Sequence, residues 1–179
     1  IAVKDGMRPS AVAAKKYTTS GSETGELKTW TYTVTDSSPN FTADAPIVIN
    51  NATWNIKMGT KVGSPTTNGV PSKYSGVYGW KWGDLKSKYW SSYTLTTSYF
   101  QDKKVKSVSV KFLNNGKKTG TMTVSQGSLT IGTASSEFGQ SWTVLTSSGG
   151  NLGDGGELSI TYQVAQASYI GEIKIQYYD

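Results

Sequence analysis

The chain has 179 residues, 18 basic and 12 acidic, with neither cysteine nor histidine, which excludes thiol chemistry, Cys/His zinc sites and every catalytic arrangement built on an imidazole. Hydrophobic residues make up only 36%, with Thr, Ser, Gly and Tyr in their place, a composition of short strands and tight turns around one sizeable core. No run approaches the roughly 18–20 apolar residues of a membrane span.

The chain starts at Ile1 without an initiator Met, so it is expected to have lost a leader or to be an excised segment. Its Ser/Thr/Gly/Tyr-rich character leans towards an extracellular or cell-surface location. Residues 1–27, with the aperiodic polar tract "TTSGSETGE", read as an arm or linker. From Lys28 a period of two takes over, opening a β-sandwich domain expected over residues 28–179. "TWTYTVT" puts Trp30, Tyr32 and Val34 on one face, and "ATWNIKM" does the same for Trp54, Ile56 and Met58. Between them, residues 36–46 read as a loop broken by Pro39 and Pro46.

Residues 59–76 read as a long turn-rich connection. In "VYGWKWG", Tyr78, Trp80 and Trp82 share one face, leaving Val77, Gly79, Lys81 and Gly83 on the other. In "YWSSYTLTT", Tyr93 and Leu95 read as inward, which leaves Trp90 outward beside Lys88 and near Asp84. "VKSVSVKFL" is the clearest strand, with Val108, Val110 and Phe112 against Ser107, Ser109 and Lys111. The Asn-Gly of "NNGKKTG" signals a hairpin to "TMTVS". "SLTIG", "WTVLT" and "ELSITY" follow. In the closing "YIGEIKIQYY", Tyr169, Gly171, Ile173, Ile175 and Tyr177 are expected on one face, with Gly171 a bulge or close contact. All five prolines precede residue 72, as expected if the later strands need every N–H for a ladder. The pattern is that of an all-β, two-sheet antiparallel β-sandwich, jelly-roll-like, over residues 28–179.

Ten of the lysines fall between residues 73 and 118, against Asp84 and Asp102 only. Seventeen of the eighteen cations are Lys, so the bidentate arginine fork that suits phosphate and base edges is nearly absent, which argues against a nucleic-acid partner. Without His or Cys, a hydrolase would need paired carboxylates, and no acid sits in a context that would raise its pKa, so the chain reads as non-catalytic. No cofactor is called for. A structural calcium would have its oxygen ligands in "NLGDGGEL", from Asn151, Asp154 and Glu157, although the same residues suit a tight hairpin turn.

The candidate ligand-binding residues are Trp90, Trp82, Tyr78, Tyr74 and Asp84. Flat rings stack on the C–H face of a sugar, and a nearby carboxylate fixes its hydroxyls. The same rings serve equally as core or as anchors for a partner protein in a surface, appendage or virion component.

"KYWSSYTLTTSYFQDKKVKSVSVKFLNNGKKTGTMTVSQG" with "SYIGEIKIQYYD" resembles the carbohydrate-binding-module-like jelly-roll domains of bacterial secreted and surface proteins over residues 75–179. The resemblance implies an accessory module that binds glycan or spaces other modules. It carries over no individual binding residue.

Overall fold

The computed structural model describes residues 25–42, 45–58, 68–82, 90–114, 118–138, 141–147, 151–165 and 168–179. The arm expected over residues 1–27 therefore lies almost wholly outside the described residues.

The described chain forms thirteen strands and no helix: β1 (Leu27–Thr33), β2 (Phe41–Thr42), β3 (Ile47–Ile49), β4 (Ala52–Met58), β5 (Asn68–Tyr74), β6 (Val77–Trp82), β7 (Trp90–Thr97), β8 (Lys104–Asn114), β9 (Lys118–Gln126), β10 (Leu129–Phe138), β11 (Thr143–Ser147), β12 (Leu158–Ala165) and β13 (Ser168–Tyr178). Every pairing is antiparallel. One sheet runs β11-β8-β13-β6-β5-β2, with β1 also on β13, and the other runs β10-β9-β12-β7-β4-β3. From β6 onward the chain passes repeatedly between the two sheets, giving the expected jelly-roll-like sandwich.

Turn chemistry sets the short hairpins. Asn50 and Asn51 join β3 to β4 with positive φ at both positions, and Ser75 with Gly76 do the same between β5 and β6. That backbone matches the twist of a two-residue hairpin. The Asn-Gly expectation, by contrast, is overturned. β8 pairs with β11 and β13, whereas β9 pairs with β10 and β12, so the chain crosses between sheets here instead of forming a hairpin. The buried faces explain this. Val108, Val110 and Phe112 on β8 and Met122 and Val124 on β9 all face one core, from opposite sides.

The segment read as connection includes β5, which tolerates Pro71 because beyond Gly69 it has no partner on its far side among the described strands. In β13, Gly171 is the extra residue of a bulge between Ile170 and Glu172. Its carbonyl accepts from the Val34 N–H at 2.8 Å. One inserted residue reverses the alternation. Ile173, Ile175 and Tyr177 face the core, but Tyr169 and Gly171 turn to the outer face, correcting the expectation that all five share a side.

The interior is unusually aromatic. Trp54, Trp80, Trp82, Tyr93, Tyr162, Phe41, Phe100 and Phe112 have no exposed surface. Their rings form a series across the gap, with Trp82–Tyr93 at 5.4 Å, Tyr93–Tyr162 at 5.7 Å and Tyr162 stacked on Phe112 at 5.5 Å. Such pairs add about 0.5–1.5 kcal/mol each beyond area burial. Three indole N–H groups pin loops to this core: Trp80 to Pro39 O at 2.8 Å, Trp82 to Phe41 O at 3.1 Å, and Trp30 to Asn50 O at 3.1 Å.

Candidate functional site

Of the sequence-nominated residues, the three whose side chains are described do not share one face. Tyr78 and Trp82 alternate with Lys81 as expected and face the core, Tyr78 half-buried and Trp82 with no exposed surface. A ring so enclosed has no face to offer a ligand. Tyr74 lies on the opposite, outer face of the same sheet, half-buried. Trp90 begins β7 in the other sheet, where its backbone pairs with Ala165. Its side chain, and all of Asp84, lie outside the described residues.

The outer face of the larger sheet holds a cluster that sequence reasoning missed. Trp142 precedes edge strand β11, and its indole lies over Gly79 of β6 and Gly171 of β13. A Cβ at Gly79 would come within 2.7 Å of Trp142 Cη2, and one at Gly171 within 2.9 Å of Cζ3. Two bare glycines thus make a flat seat for one large ring. The indole N–H donates to Tyr74 O at 3.0 Å. Tyr169, turned outward by the bulge, has its ring centroid 5.6 Å from Tyr74 and 6.3 Å from Trp142. Burial, and secondarily Tyr74, push the Tyr169 hydroxyl above its ordinary pKa. Tyr74 and Trp142 keep part of their surface in water.

Two lysines flank the rings. Lys81 is the cross-strand partner of Tyr169, with Nζ 6.0 Å from that ring, and Lys111 Nζ lies 5.8 Å from the Trp142 ring. Val70, 43% exposed, and Val144, 62% exposed, lie on the same face further out. The result is a partly exposed aromatic surface with ammonium groups beside it, which suits stacking on an apolar ligand face while polar tips reach its hydroxyls.

No family model matches the chain. No curated protein matches it either. Solved structures do: a family 36 carbohydrate-binding module in complex with calcium and xylotriose is similar at 19% identity, over 68% of this chain and 93% of that one, with a TM-score of 0.40. A family 36 module of a multidomain xylanase from the hindgut metagenome of Trinervitermes trinervoides gives 18%, 68%, 95% and 0.37. A family 11 module from Clostridium thermocellum, bound to a mixed-linked tetrasaccharide, gives 11%, 81%, 94% and 0.40. These are modules of the kind that the sequence resembles. At such identities and TM-scores the likeness transfers no ligand, metal or residue to this chain.

The calcium candidate is tied to the β9–β10 hairpin by hydrogen bonds. The Asn151 side chain donates to Thr130 O at 3.0 Å, the Glu157 carbonyl accepts from Gly127 N–H at 2.9 Å, and Gly155 and Gly156 turn the chain at positive φ. Asp154 and Glu157 are exposed, and among the described residues no three acidic side chains come together. The loop has the build of a hydrogen-bonded turn, and its residues do not fit a carboxylate cage.

Proposed function

We propose that the chain is a non-catalytic extracellular module that binds glycan through the outer face of its larger sheet, with Trp142 and Tyr74 as stacking rings and Tyr169 as support. The observation that carries the proposal is the seating of Trp142 on two glycines. The seat presents a large, rigid, partly exposed ring on a sheet surface where a shorter side chain would do if packing were its only task. A ring held in advance loses little freedom when a sugar stacks on it.

The test is a polysaccharide and oligosaccharide binding panel read by affinity electrophoresis and calorimetry, with Trp142→Ala and Trp90→Ala side by side. Trp142→Ala is expected to abolish binding while Trp90→Ala leaves it intact. The reverse result would move the site to the far end of β6 and β7, where the sequence places Trp90 and Asp84. No binding by the intact protein to any glycan would overturn the proposal.

A second reading has an observation of its own. Exposed Val70 and Val144 beside the rings suit a partner protein, as in an adhesin or assembled surface component. It predicts a defined oligomer or complex by light scattering that Val144→Asp disrupts, with no effect of sugars.

A further inference from the structure

Building on the glycan reading of this face, we infer that the saccharide it takes is anionic, a polysaccharide bearing uronate carboxylates. The outer face carries lysines on three adjacent strands: Lys81 on β6, Lys174 on β13 and Lys111 on β8. None of the three is in an ion pair among the described residues, where both salt bridges belong to Asp179 at the terminus.

Among the described residues, one acid shares the neighbourhood. Glu172 is the cross-strand partner of Lys111, yet its Oε2 accepts from Thr33 Oγ1 at 3.0 Å, towards β1 and away from the rings. Lys111 reaches the other way, its Nζ over the Trp142 ring at 5.8 Å from the centroid. Among the described residues no carboxylate is ion-paired with these ammonium groups, Lys81 over Tyr169 and Lys111 over Trp142, and a neutral sugar would leave their charge unanswered.

The spacing adds to this. Lys81 and Lys111 stand on either side of β13 and are offset along it, which puts their Cα atoms on the order of 12 Å apart from strand spacing and rise. The ammonium groups stand over different rings, Lys81 over Tyr169 and Lys111 over Trp142, whose centroids are 6.3 Å apart, so the two address different parts of a saccharide chain. The rings between them take the apolar faces.

The experiment uses matched pairs, each a uronate oligosaccharide (galacturonate, glucuronate or mannuronate type) and its neutral methyl ester, titrated by calorimetry at low and high salt. At least one acidic member is expected to bind on the order of tenfold more tightly than its ester, two close charge pairs sufficing for such a ratio. Added salt should erase that preference. Lys81→Gln with Lys111→Gln should lower acid binding to the level that the same variant shows for the ester, and the Lys→Arg pair should restore the preference for the acid. Melting curves of the variants check that they are folded. Esters binding as tightly as acids, with the Gln variants indistinguishable from the parent, would overturn the charge assignment and leave the glycan face standing. No binding by either member of any pair, with neutral glycans also inert, would remove the glycan face and this inference together.

Discussion

The Trp142 indole N–H donates to the Tyr74 carbonyl at 3.0 Å, joining the residue before one edge strand to the end of a strand well across the same sheet. The bond fixes the ring's azimuth, and the glycines beneath fix its height. Gly79→Ala is therefore the sharpest test of the seat. Its Cβ would meet not only the ring but also Ile170 O at 3.0 Å, which as backbone cannot yield. We expect a loss of about 1–3 kcal/mol in stability from overpacking, together with a shift of Trp emission to longer wavelength as the ring lifts into water. An unshifted spectrum with full stability would mean that the ring is not seated there.

Gln126 holds one end of the sandwich together. Its Oε1 accepts from Val105 N–H at 3.0 Å and its Nε2 donates to Phe100 O and Lys103 O, each at 2.8 Å, with no surface exposed. Gln126→Leu would take this partner from the Val105 N–H and the Lys103 carbonyl, while Phe100 O keeps its bond from the Lys103 N–H at 3.0 Å. A loss of about 2–4 kcal/mol is expected, which corresponds to a melting temperature lower by about 5–15 °C for a chain of this size. Urea denaturation reads the free energy directly.

Tyr93 and Tyr162 face each other across β7 and β12, fully buried, and neither hydroxyl has a hydrogen-bond partner among the described residues. Removing an unpaired buried polar atom relieves a desolvation penalty, so Tyr93→Phe and Tyr162→Phe should each leave stability unchanged or raise it by up to about 1 kcal/mol. Burial drives both hydroxyls far above the usual value of 10, and for Tyr162 the neighbouring Tyr93 adds to the effect. In the unfolded chain they ionise near 10, while the folded protein keeps both protons. Stability should therefore fall as pH rises beyond 10. The double Phe variant should extend the alkaline limb of the stability curve to higher pH. Coincident alkaline limbs would contradict the assignment.

At the opposite extreme of pH the terminal Asp179 matters. It pairs with Lys103 at 2.6 Å and with Lys28, and hydrogen bonds from these two ammonium groups hold its carboxyl below the usual 3.8. Such a group contributes in full above its unfolded-state pKa, and the contribution fades as pH falls through the lowered folded value. The pair is exposed, so Asp179→Asn should cost only a small drop in melting temperature at neutral pH, smaller still in high salt. Parent and variant should converge at pH values below the usual 3.8. A difference that persisted in acid would point to packing instead of charge.

Much of the fold was legible because alternation is a local signal. The placement of Trp30, Trp54, Trp80, Tyr93, Leu95, Val108 and Phe112 inside follows from which neighbours two residues away are apolar, and each is buried. Where a local signal failed, a longer-range term had overridden it. The Asn-Gly dipeptide favours a tight reversal, but β8 and β9 both needed the same core and could reach it only from opposite sheets. The alternation through β13 failed at a single residue, where Gly171 was added to one strand without a counterpart on β8.

Composition and periodicity alone therefore determined a two-layer all-β sandwich and most of its interior, since burying every second side chain is a property of a strand by itself. Only the tertiary structure decided where the rings on the outside meet. Gly79, Trp142 and Gly171 are far apart along the chain and become a seat and its occupant only when β6 and β13 pair and the edge strand β11 joins β8. No window of sequence contains that neighbourhood, because it is created by strand order, and strand order is set by the competition of all the strands for one core.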